Sequence, residues 1–193
     1  MAEASIVFEK ELPRGKFFIY RNPPVFPLLK VKQTHSNIVL DEGHCQEAIG
    51  DAIVGQSKTP MAILTADCLP ILLLGESGHA FVHAGWKGLD NHILKNELIQ
   101  NIKPTYAFIG PHISRKHYEV QADFREHFPY PEAFHEQEGK LFFSLLKMAC
   151  IQLETLYPRI TIEESGKCTF ENEELYSFRR NKTTLRNWNL YIP

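Results

Sequence analysis

The sequence predicts a mixed α/β fold of the α+β kind, and three observations carry that expectation. The middle of the chain is a series of short, continuously apolar runs: Ala52-Ile53-Val54, Met61-Ala62-Ile63-Leu64-Thr65, Ile71-Leu72-Leu73-Leu74 and Ala80-Phe81-Val82, punctuated by Gly, Pro, Asp and Ser. Runs that are apolar throughout, rather than alternating, read as strands covered on both faces. Two later segments have helical spacing and supply the cover. Strands and helices do not alternate strictly, which sets the chain apart from a doubly wound nucleotide-binding fold.

In chain order, Lys16-Phe17-Phe18-Ile19-Tyr20 is a strand candidate, and Asn22-Pro23-Pro24-Val25-Phe26-Pro27 is an extended surface connection. The apolar runs follow, with Gly75-Glu76-Ser77-Gly78 as a hairpin turn between two of them. From Asn91, the positions Ile93, Leu94, Leu98, Ile99 and Ile102 predict one helix ended by Pro104. Tyr106-Ala107-Phe108-Ile109 is a buried strand that stops at Gly110-Pro111. A second helix is predicted from about Leu141 to Tyr157, with Leu145, Leu146, Ala149, Leu153 and Leu156 on one face and Ser144 and Pro158 as punctuation. Tyr191 and Ile192 suggest a final strand.

The 193 residues suffice for one well-buried core, so a single domain over 1–193 is expected. A formal net charge of -2 leaves no broad electrostatic footprint for nucleic acid or an anionic membrane. No apolar run approaches the roughly 20 residues that span a bilayer. Met1-Ala2-Glu3-Ala4-Ser5 carries an acid and no basic stretch, unlike a signal peptide. The four cysteines, Cys45, Cys68, Cys150 and Cys168, are scattered without a CxxC pair, so reduced thiols and a cytoplasmic location are expected. Cys150 falls in a helix's apolar register, while Cys45 and Cys168 fall in polar loops.

The chemistry concentrates around Leu64-Thr65-Ala66-Asp67-Cys68-Leu69-Pro70 and Val82-His83-Ala84-Gly85-Trp86-Lys87-Gly88. A cysteine just past one strand and a histidine at the end of the next suggest either a zinc ion or a thiolate nucleophile with its base. Asp67 beside Cys68, with Pro70 following, fits a tight turn that aims the sulfur outwards. His35, in Gln33-Thr34-His35-Ser36-Asn37 after the apolar stretch 28–31, is placed at a third strand end. Alone it reads as a surface or capping histidine; with Cys68 and His83 it completes a set like that of an open catalytic zinc site.

Gly85 and Gly88 around Trp86-Lys87 allow close backbone approach to a ligand just before a helix. Ile109-Gly110-Pro111-His112-Ile113 repeats the logic of strand, sharp turn and polar edge residue, with His112 at the edge. Near the C-terminus Arg179, Arg180 and Arg186 form either a solvated basic face or a bidentate site for phosphate or carboxylate. Trp86, Tyr176 and Phe178 could wall a flat base.

QTHSN (33–37), DAIVG (51–55), TADCLPILL (65–73), HAGWKGL (83–89), IGPHI (109–113), YEV (118–120) and CT…YSFRR (168–180) occur in order. Together they resemble the YfiH family, also called the laccase-domain or multicopper polyphenol oxidase family. The resemblance implies two mixed β-sheets packed between helices, an architecture related to toxin deamidases. It implies zinc held by His35, Cys68 and His83, and action on nucleosides: phosphorolysis of adenosine, inosine and methylthioadenosine, with adenosine deamination beside it. Copper is the alternative ion, although three N/S ligands are too few for a multicopper centre. The chain departs from the family pattern at Lys87, where Arg is usual, at His112, where a second cysteine is usual, and before Arg186, where a glycine is missing.

On this reading Cys68, His83, Asp67 and His112 are catalytic, with Asp67 or His112 the candidate proton shuttle. Lys87, Arg179, Arg180 and Arg186 bind substrate or phosphate, and no protein partner is implied. The rivals are a metal-free Cys-His hydrolase or deamidase, with Cys68 as nucleophile and His83 as base, and a non-catalytic zinc-binding protein.

Overall fold

The computed structural model describes residues 5–193, so the signal-peptide reading of the first residues falls outside it save for Ser5. The strands are β1 (Ile6–Glu11), β2 (Lys16–Tyr20), β3 (Val39–Asp41), β4 (Ala52–Gly55), β5 (Met61–Thr65), β6 (Leu69–Gly75), β7 (Gly78–Ala84), β8 (Pro104–Ile109), β9 (Glu119–Val120), β10 (Phe134–Gln137), β11 (Lys140–Phe143), β12 (Thr161–Glu164) and β13 (Asn187–Ile192). The α-helices are α1 (Trp86–Asp90), α2 (Glu97–Asn101), α3 (Leu145–Leu156) and α4 (Phe178–Asn181). The fold is mixed α/β, rich in strands and poor in helix.

Among the described residues, the expected pair of mixed sheets is instead three sheets, of which one is mixed. A six-stranded sheet, ordered β12-β8-β6-β7-β4-β3, is parallel at β12/β8 and β3/β4 and antiparallel between. A four-stranded sheet, β1-β2-β13-β5, is antiparallel throughout. A small antiparallel sheet, β10-β11-β9, stands apart from both.

Every residue of β6 and β7 is buried, and the two faces of the six-stranded sheet explain why. Ile53, Leu72, Leu74, Phe81 and Phe108 face the four-stranded sheet and pack with Phe17, Ile19, Met61, Ile63 and Tyr191. Phe17 sits edge-on to Phe81 and Phe108, at 6.0 and 5.0 Å between centroids. Ile71, Leu73, Ala80, Val82, Ala107 and Ile109 face the other way, onto Leu145, Met148, Ala149 and Leu153 of α3 and onto Phe134 and Phe143. Burying one such side chain contributes about 1.5–3 kcal/mol. The continuous apolar pattern is thus the signature of a central layer.

Two helix expectations change. The helix expected from Asn91 to Pro104 is broken into a 3₁₀ turn (Ile93–Lys95) and α2, because His92 takes a left-handed φ of 54° and Asn96 leaves helical geometry to cap α2 through its side chain. The apolar spacing still buries Ile93, Leu94, Ile99 and Ile102. α3 begins at Leu145, not near Leu141: the Ser144 side chain caps it by accepting from the Lys147 N–H, while residues 141–143 belong to β11. The β10–β11 hairpin turns on Glu138 and Gly139, at φ 53° and 73°, a two-residue turn of the primed type. Cys45 and Cys168 lie in loops as expected, between β3 and β4 and after β12, but their side chains are buried.

Candidate active site

The chain leaves the four-stranded sheet at Thr65 and enters the six-stranded one at Leu69, so residues 66–68 make the crossing between layers. The crossing forces Asp67 to φ 103°, a conformation that costs a non-glycine residue about 1–3 kcal/mol. It is held by two partners from far along the chain. Asp67 Oδ1 accepts from the Thr169 hydroxyl at 2.7 Å, and Oδ2 accepts from the Arg179 backbone N–H at 2.6 Å. Both carboxylate oxygens are therefore engaged, and Asp67 positions the turn and docks the C-terminal segment.

His83 is the penultimate residue of β7 and is buried. Its Nδ1 lies 2.7 Å from Asp51 Oδ1, which leaves Nε2 for a ligand. His35 is in a loop rather than at a strand end: residues 29 and 32 make only isolated bridges to 61 and 49, and His35 itself has φ 60°. Gln33 holds this loop in place by mimicking a strand, its amide donating to Leu64 O (2.7 Å) and accepting from Leu64 N–H (2.8 Å).

Asp51 is the residue sequence reasoning missed. Fully buried, it accepts from the N–H groups of Thr34, His35 and Ser36 and from the Ser36 hydroxyl, besides pairing with His83. Burial alone would raise its pKa, but His83 and Ser36 hold the carboxyl far below the ordinary carboxylate value. One buried anion thus orients two of the three ligand-bearing residues. The only signal was the aspartate that opens DAIVG.

The ligand-capable atoms of His35, Cys68 and His83 lie within 4.8 Å of one another. The two imidazoles meet edge-on at 4.8 Å between ring centroids. Burial raises the Cys68 pKa, yet the His83 charge and hydrogen bonding by His35 and His83 bring it down to about 6. Burial lowers that of His83, but the Cys68 thiolate and Asp51 together lift it to about 9. A cation belongs in such a place. Ligands of one tetrahedral zinc sit about 3.4–3.6 Å apart, within the observed spread. A Cβ on Gly85 would stand 3.0 Å from Cys68 Sγ and 3.2 Å from His35 Cδ2, so the glycine leaves these ligands their room. The donor set fits zinc and leaves a fourth position open.

That position opens onto a cleft of ≈ 460 Å³ lined by Gln33, Asp67, Phe178 and Arg186, among others. Of the expected aromatic wall only Phe178 lines it; Trp86 packs on Phe124 at 5.2 Å, and Tyr176 lies under Arg21. The basic residues also divide. Arg186 reaches the cleft, with one guanidinium nitrogen on Thr183 O and Leu185 O. Arg179 lies over the Tyr118 ring (4.9 Å) and donates to Glu119 O. Arg180 is committed to the carbonyls of Thr169, Phe170, Asn172 and Leu175, and so clips the segment instead of meeting an anion. Lys87 is exposed and leans on Trp86. His112 is buried, its Nδ1 on Gly110 O at 2.9 Å, and it lines a different cleft. Burial keeps its pKa low. Neither Lys87 nor His112 lines the cleft at the Cys68 corner.

The site is the metal-capable corner of an enzyme fold, and the comparisons agree on the class. Residues 22–191 match the family described as multi-copper polyphenol oxidoreductase laccase, and the chain belongs to that family. The chain is 37% identical over 143 residues to a purine nucleoside phosphorylase of Aquifex aeolicus, covering 71% of this chain and 68% of the relative. It is 32% identical over 190 residues to purine nucleoside phosphorylase YfiH of Shigella flexneri, covering 90% and 76%. A Neisseria meningitidis protein of the DUF152 family superposes with a TM-score of 0.72 at 31% identity, over 85% of this chain and 75% of that one. A Bacillus licheniformis YfiH protein has the same fold at 22% identity, with a TM-score of 0.72 over 85% and 73%.

Proposed function

We propose that this chain, as one domain over 1–193, is a zinc-dependent purine nucleoside phosphorylase acting on adenosine, inosine and methylthioadenosine, with adenosine deamination as a side activity. The observation that carries the reading is the convergence of His35, Cys68 and His83 on one open position, braced by Asp51. The phosphorylase names of relatives at 31–37% identity support the substrate class.

His35, Cys68 and His83 hold the ion, which when bound supplies Lewis acidity. Arg186 is the cleft's guanidinium and orients phosphate against the ribose C1′, while Phe178 offers its ring to the purine. In phosphorolysis a phosphate oxygen bonds to C1′ as the C1′–N9 bond breaks; the base leaves with the electron pair and is protonated. Holding the two reactants in line is the chain's main contribution. Arg179 and Asp67 act through the fold, keeping the segment that carries Phe178 and Arg186 against the metal corner. A cytoplasmic location fits the substrates, and no helix among the described residues is long and apolar enough to cross a membrane.

The test is chromatographic separation of products from adenosine, inosine and methylthioadenosine, with and without phosphate. Release of free base only with phosphate is expected, and no turnover of any of the three would overturn the reading. The lowered Cys68 pKa favours a second reading, a Cys-His hydrolase or deamidase. Activity abolished by chelation and restored by zinc excludes it; thiol-specific inactivation of a metal-free, active protein would favour it.

A further inference from the structure

A second group of soft and hard donors lies away from the Cys68 corner. His117 closes a 3₁₀ turn (Arg115–His117) beyond β8, while Cys168 and Glu171 follow β12. A bridge between His112 and Cys168 fixes the two segments together: His112 N–H donates to Lys167 O at 3.2 Å, and Thr169 N–H to His112 O at 2.9 Å. The ligand-capable atoms of His117, Cys168 and Glu171 again lie within 4.8 Å of one another. The His117 ring is held by stacking on Phe170, 4.3 Å between centroids and 15° between planes. Its Nε2 lies 2.8 Å from Glu171 Oε1.

Two features go beyond a surface ion pair beside a core thiol. The buried Cys168 sulfur accepts the Ser114 backbone N–H at 3.3 Å, a contact that fixes the sulfur's position beside the His117–Glu171 pair. The Ser114 hydroxyl is buried with no hydrogen-bond partner, and Ser114, Cys168 and Glu171 line one cleft of ≈ 340 Å³. Such an orphan is unfavourable when left unpaired, and a metal-bound water would satisfy it. The exposed His117–Glu171 pair alone contributes little to stability and has no need of the sulfur.

We propose that His117, Cys168 and Glu171 form a second divalent-metal site, suited to zinc by its S/N/O donors and open to water at the remaining position. Thiolate and carboxylate neutralise the ion, so the occupied centre is compatible with Arg115, Lys116 and Lys167 on the cleft rim, where Glu164 also lies. His117 and Glu171 part by roughly half an ångström to share the ion.

The experiment is metal content and competitive zinc titration on the full chain, followed by cobalt substitution. Wild type is expected to hold two zinc ions per chain, Cys68→Ala one, and Cys168→Ala one. Glu171→Gln, at an exposed position, tests the site without disturbing the core, and weakens only the second ion, by roughly tenfold or more. In the Cys68→Ala background, the cobalt–thiolate charge-transfer band remains, and Cys168→Ala removes it. One ion per wild-type chain, lost with Cys68→Ala, overturns the proposal. So does a second ion indifferent to Glu171→Gln and to His117→Ala. Failure of the first site instead leaves the ion count unchanged in Cys68→Ala, which separates the two readings.

Discussion

The two histidine–cysteine clusters use similar side chains and differ in what stands behind them. At the Cys68 corner, a fully buried carboxylate holds both histidine-bearing segments and a second buried carboxylate pins the turn that carries the sulfur. At the Cys168 cluster, the carboxylate is itself a candidate ligand, half exposed, and the support is a backbone bridge, a ring stack and one backbone donor, with no buried carboxylate behind them. Preorganisation separates the Cys68 corner from the Cys168 cluster, since supporting partners tune affinity nearly as strongly as ligands do.

The largest effect is expected from Asp51→Asn. It removes the charge facing His83 and mismatches donors from 34–36, so zinc affinity at the Cys68 corner should fall roughly 10–100-fold while the Cys168 cluster is untouched. Competitive titration of both sites measures this, and equal weakening at the two would erase the contrast. Gly85→Ala places a Cβ at 3.0 Å from Cys68 Sγ. It should weaken metal binding there about tenfold by displacing a ligand, with about 1 kcal/mol or less lost from the fold on urea denaturation.

Thr169→Val is a finer cut, because Thr169 serves both regions: its hydroxyl holds Asp67, and its backbone bridges to His112 beside Cys168. Losing the hydroxyl should cost about 1–3 kcal/mol and lower kcat/KM, leaving metal content at the Cys168 cluster intact. The last variant isolates the fold from both clusters. His79, buried in β7 against Tyr191 at 4.9 Å, is held neutral mainly by burial, its pKa lowered to about 4 from 6.5. Between those values the unfolded chain binds the extra proton, so stability is present above about 6.5 and declines as pH falls towards 4. Thermal melts of metal-free protein should show this acid loss, and His79→Phe should reduce it.

The parts legible in the sequence were those with a local cause. Strands buried on both faces announce themselves as unbroken apolar runs, and Gly75–Gly78 and Ser144 mark a turn and a cap wherever they occur. His35, Cys68 and His83 were readable as a set because their residue types are unusual together. Asp51 was not, since its meaning comes from a loop 15–17 residues away and a histidine 32 away. Arg180 shows the converse: a guanidinium turned onto its own backbone looks, in sequence, like one waiting for phosphate. The break at His92 was invisible because apolar spacing survives it.

The order in which chain emerges gives Asp67 a further meaning. Its two partners lie 102 and 112 residues downstream, and β13, which fills the gap between β2 and β5, comes later still. Until those segments arrive, the Cys68 turn has no clasp and the four-stranded sheet has two unpaired edges, a state prone to mispairing. Such non-local closure is slow. Completion of the candidate metal corner is therefore tied to one of the last steps of assembly, and a nascent chain that already carries His35, Cys68 and His83 still lacks the clasp on the Cys68 turn.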